Sequence, residues 1–170
     1  MPSSPEILGL SLSAFTTLHV AISIMAIAAG LVVLRGFLGS HPMNAVTLLF
    51  LITTVLTSLT GFLFPFHGIT PGIVIGILSL GLLAAATLGR YAFHMAGPWR
   101  WIYVVSSVAA LWFNVFIFIV QSFEKIPTLH RLAPTGTELP FKAVQLAILV
   151  AFVALGYLSV RRFHVIPAVA

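Results

Sequence analysis

The sequence predicts an all-α protein, a polytopic transmembrane helical bundle of five spans. Three observations predict it. Of the 170 residues, 60% are hydrophobic and only 6% are charged. The apolar residues fall into runs long enough to cross a bilayer, and Gly, Pro and polar residues separate those runs. A soluble domain carries about 25% charged residues because its whole surface must be hydrated. Here the apolar residues exceed what one core can bury, so the surplus faces lipid. Nothing divides the chain, and residues 1–170 read as a single transmembrane domain.

A helix rises 1.5 Å per residue, so about 20 apolar residues cross a hydrocarbon layer about 30 Å thick. Five runs meet this length, at roughly 14–36, 44–64, 71–93, 100–122 and 141–161. Gly36, Gly39 and Pro42 separate the first two runs, and Pro65, Gly68 and Pro71 the next pair. Gly97 and Pro98 precede the fourth. The last connection, residues 123–140, is the longest and holds Pro127, Pro134, Gly136 and Pro140. A membrane barrel would show segments of about ten residues with alternating polarity, and none is present. The N-terminal stretch MPSSPEILGLSLS has no Lys or Arg and so lacks the basic start of a cleaved signal. The first run is therefore expected to remain as a helix.

The basic residues set an orientation. Arg35, Arg90, Arg100, Arg161 and Arg162 fall at one side with no acid, whereas Lys125, Arg131 and Lys142 share the other with Glu6, Glu124 and Glu138. The positive-inside rule then places the C-terminus in the cytoplasm and, with five spans, the N-terminus outside. The net charge of +5 is scattered singly at run ends, which argues against nucleic acid as a partner. There is no cysteine, which excludes disulfides, thiolate metal sites and iron–sulfur clusters. Phosphate loops, dinucleotide fingerprints, GxSxG and HExxH are all missing, and no acid lies within a run, so an enzyme is not expected and no metal site is assigned.

Polar side chains inside a bilayer are costly and face the bundle interior or function. With the orientation above, His19, Ser58, Asn114, Gln121 and Gln145 all fall in the outer half, beneath the long connection. They are the candidate lining of an outward-facing pocket for a small or lipid-like ligand. The alternative is a packing network of interhelical hydrogen bonds, to which the many Ser, Thr and Gly positions also belong. The Gly72/Gly76 pair reads as GxxxG, a weak pointer to a homo-oligomer. Of six histidines, only His19 lies well inside a run, and His67 follows the second run on the same side. That pair is the one candidate for bis-histidine haem b, and Glu124 with either imidazole would form a proton relay.

Residues 121–141, QSFEKIPTLHRLAPTGTELPF, form a connection long enough to serve as a lid or to lie on the headgroups. Together with Thr57-Ser-Leu-Thr-Gly-Phe-Leu-Phe-Pro-Phe66, this pattern resembles small bacterial membrane proteins grouped as a domain of unknown function. The resemblance implies a bacterial inner-membrane location and brings no activity or site residues. Three functions compete: a non-enzymatic binder of a small or lipid-like molecule, a membrane redox protein holding haem or quinone, and a structural subunit packed against partner helices.

Overall fold

The computed structural model describes residues 6–65 and 70–164. It opens with a short hairpin, β1 (Glu6–Ile7) paired antiparallel with β2 (Leu10–Ser11). Leu8 and Gly9 turn the chain with φ of 55° and 77°, the positive pair that a type I′ turn requires. Two-residue strands are too short to leave an alternating pattern, so the sequence contains no sign of them. Ser11 then caps α1 (Leu12–Leu38) by accepting a hydrogen bond from the Ala14 amide at 3.3 Å. α2 (Asn44–Gly61) follows, and α3 (Pro71–Thr87) starts with Pro at its first turn beneath a Thr70 cap. A π-helical turn at Leu88–Ala92 extends α3. α4 (Trp99–Lys125), the four-residue α5 (Pro127–His130) and α6 (Leu139–Arg162) complete the order.

Five segments are long and apolar enough to span a bilayer: Leu12–Leu38, Asn44–Gly61, Gly72–Ala92, Trp99–Lys125 and Leu139–Arg162. Their ends lie within three residues of the sequence expectation. The chain is a multi-pass α-helical membrane protein. Side-chain links show the up-and-down order. His19, early in α1, meets Thr60, late in α2. Arg90, at the end of α3, meets Asn44 and Tyr103 at the starts of α2 and α4. The end shared by Arg35, Arg90, Arg100, Arg161 and Arg162 is called the arginine end, and the opposite end, with residues 126–138, the loop end.

α4 is central and touches α1, α2, α3 and α6, whereas among the described residues α6 packs only on α4 and α1 and is the least buried span. The interior is densest toward the arginine end. There Val33, Leu34 and Phe37 of α1 meet Leu83, Ala86, Tyr103, Val104 and Phe163. Phe37 stands edge-on to Tyr103 at 5.3 Å and to Phe163 at 5.0 Å. Gly76 of the GxxxG pair lies under the chain's own Phe62 ring, so its missing side chain serves packing within the bundle. At the loop end Phe123 packs edge-on against Phe141 at 5.4 Å, and Ala133 is buried beneath the connection. Slight desolvation raises the Glu138 carboxyl, but hydrogen bonds from Thr135 and Thr137 outweigh it and hold the group below its ordinary pKa.

Candidate functional site

The loop-end polar residues occupy separate contacts. His19 Nδ1 lies 2.8 Å from Thr60 Oγ1, and the ring stands edge-on to Phe64. The single Thr60 hydroxyl proton is directed to the Leu56 carbonyl at 2.6 Å. Asn114 Nδ2 donates to the buried Thr54 hydroxyl at 3.3 Å and ties α4 to α2. Ser58 Oγ donates back to Thr54 O at 3.1 Å within its own helix. Gln145 Nε2 donates to Phe116 O at 3.2 Å, joining α6 to α4, and its buried Oε1 has no partner among the described residues. Gln121 is exposed and donates to Glu124 at 3.2 Å, one turn along the same helix. His67 lies outside the described residues, so of the haem pair His19 alone is placed.

These contacts bring Asn114 toward α2 and Gln145 toward α4, but they do not gather the five candidates around one space. Asn114 makes an interhelical bond of the kind worth about 0.6 kcal/mol in a bilayer. Asn114→Leu is accordingly expected to cost about that much, measured by unfolding in mixed detergent micelles. A loss several times larger would mean that Asn114 holds more than Thr54.

Sequence reasoning assigned Arg90 only a topological role. In the structure it is buried in the π-helical turn. Its Nη1 donates to the Tyr103 hydroxyl at 3.1 Å and its Nη2 to Asn44 Oδ1 at 2.6 Å. The guanidinium also lies 5.2 Å from the Tyr103 ring centre and 5.6 Å from that of Tyr91. Gly89 lets this turn lie against α4, since a Cβ there would come within 3.1 Å of Trp99 O. The signal was present, because Arg90 falls three residues inside the predicted 71–93 run, and an ionisable group within a span calls for a partner. π-helical turns recur at functional sites, but here every assigned contact joins helices of the same bundle.

An apolar cavity lies elsewhere, between α4 and α6. It measures about 280 Å³ and is lined by Val105, Val108, Ala109 and Trp112 from α4 and by Leu149, Phe152, Val153, Gly156 and Tyr157 from α6. Trp112 is the midpoint of α4, so the space runs from mid-membrane toward the arginine end. Val153 and Tyr157 are 64% and 60% exposed, which opens the cavity sideways to lipid. Its wall is apolar apart from two groups. The Trp112 Nε1 is buried with no partner among the described residues, and the Tyr157 hydroxyl accepts from Arg161 at 3.0 Å. The sequence could not mark this space, because it is a gap between two apolar faces and no residue type signals a gap.

Fold and cavity together define a class: a multi-pass membrane bundle with a lipid-facing apolar recess beside its central helix. No protein-family model, curated protein or solved structure matches the chain.

Proposed function

We propose that this is a non-enzymatic membrane protein that binds a lipid-like molecule, with one hydrocarbon chain seated between α4 and α6. The α4–α6 cavity carries the reading. Small-molecule sites are concave and mostly apolar, with few polar groups, and usually measure about 300–1,000 Å³. A recess of about 280 Å³ suits a single chain better than a bulky polycyclic molecule. Its side opening admits a ligand already dissolved in the bilayer. In the same reading the protein sits in a bacterial inner membrane, with the arginine end cytoplasmic as the excess of Arg there favours.

Filling the recess tests the proposal. A Cβ at Gly156 would meet Val108 at 3.5 Å, an ordinary contact, so Gly156→Ala is tolerated. Gly156→Leu projects further and occupies the space. Delipidated protein should gain thermal stability when a single-chain phospholipid is added, by about 2.7 kcal/mol at one hundred times its Kd. Gly156→Ala should keep that gain and Gly156→Leu should lose it. Equal stabilisation of all three proteins would show that the lipid acts elsewhere.

A further inference from the structure

We infer that the α4–α6 recess selects an anionic phospholipid, its chain in the cavity and its phosphate on the Arg161 guanidinium, which Tyr157 positions. The inference rests on the proposed function and adds the headgroup and the direction in which the lipid lies. The link between apolar space and charge is Tyr157. Its side chain lines the cavity, while its hydroxyl accepts from Arg161 Nη1 at 3.0 Å and its ring lies 5.7 Å beneath the same guanidinium. One residue therefore touches both the seat of the chain and the cation above it. Four residues of helix separate Tyr157 from Arg161, about 6 Å along α6, so the cation lies toward the headgroups when the chain lies in the recess.

The charges around Arg161 support an anion. All three acids of the chain lie at the other end of the bundle: Glu6 before α1, Glu124 near the end of α4 and Glu138 at the start of α6. The neighbouring Arg100 is half-buried and held at the end of α6, where its Nη1 donates to the Val160 and Phe163 carbonyls. Arg161 is exposed and, among the described residues, bonds only to Tyr157, so its fork presents further donors to a phosphate oxygen. The opposite orientation, with the head toward the loop end, would face Leu149 and the Trp112 indole and offer no charge.

The experiment uses full-length protein in detergent micelles with Trp99→Phe and Trp101→Phe, which leaves Trp112 as the only indole. Phosphatidylglycerol and phosphatidylcholine with brominated chains are titrated separately, and quenching of Trp112 is followed. Both lipids should quench saturably, with phosphatidylglycerol half-saturating at about fivefold lower mole fraction, the effect of one basic residue near an anionic headgroup. Arg161→Gln should abolish the preference and keep the quenching. Arg162→Gln, on the adjacent exposed residue, should keep both. Equal half-saturation by the two lipids in the parent, or an equal loss of preference in Arg162→Gln, overturns the Arg161 assignment and leaves the cavity reading standing. Quenching that only rises in proportion to mole fraction overturns the cavity reading itself. Inorganic phosphate at matched ionic strength should not displace the quencher, and displacement would show that the site takes free phosphate in place of a lipid head.

Discussion

Arg90→Leu is expected to destabilise the bundle by about 3 kcal/mol, the sum of two hydrogen bonds made by a charged donor at about 1.5 kcal/mol each, the low end of their range. The guanidinium joins α3 to α2 through Asn44 and to α4 through Tyr103, so three spans lose a shared link at once. Tyr103 is fully buried, so water does not replace the donor that its hydroxyl loses. Arg90→Lys should recover little, since one ammonium cannot reproduce the planar fork that reaches both acceptors and lies over both rings. Arg35→Leu is the comparison. Arg35 is exposed at the same end and should stay within about 0.5 kcal/mol of the parent. Unfolding followed by circular dichroism against the mole fraction of a denaturing detergent separates the two. Similar midpoints for Arg90→Leu and Arg35→Leu would reduce Arg90 to a topological charge.

The same residue shows how far a sequence carries the structure. The spans were legible because lipid imposes one demand along about 20 consecutive residues, and each helix repeats it. The start of α3 was legible because Pro71 acts locally, through the first turn of the helix it starts. What a polar residue pairs with was not legible, since that depends on the rotation of one helix against another. Asn114 and Gln145 were expected to converge, yet each bonds across a different seam, to α2 and to α4. Gln121 shares their end of the bundle but faces outward, because depth along a helix says nothing of its side. The α4–α6 recess was least legible of all. Gly156 of α6 comes close to Val108 of α4, while the apolar side chains around them leave a gap that no residue type in either helix announces.

At Gly30 three helices meet with no room for a side chain, and its substitution has the second largest expected effect. A Cβ built on Gly30 would lie 2.5 Å from Leu111 Cδ1 and 2.9 Å from Phe50 Cε2, so α1, α2 and α4 meet at this point. Both atoms belong to side chains that could rotate in open space, but Leu111 and Phe50 are each only 1% exposed and have nowhere to go. Overpacking of this kind costs about 1–3 kcal/mol, and Gly30→Ala should fall within that range. Gly81→Ala is the matched control, because nothing lies within 4 Å of a Cβ there and the residue faces outward. It should cost nothing, and the better helix propensity of alanine favours a slight gain. The close approach can be tested directly by adding Leu111→Ala. If the collision with Leu111 is the cause, Gly30→Ala should cost less in the Leu111→Ala background than in the parent, because the new methyl fills part of the space that the truncation opens. Strict additivity would place the cost on Phe50 of α2 instead. The coupling decides whether glycine at position 30 gives room chiefly to α4 or to α2.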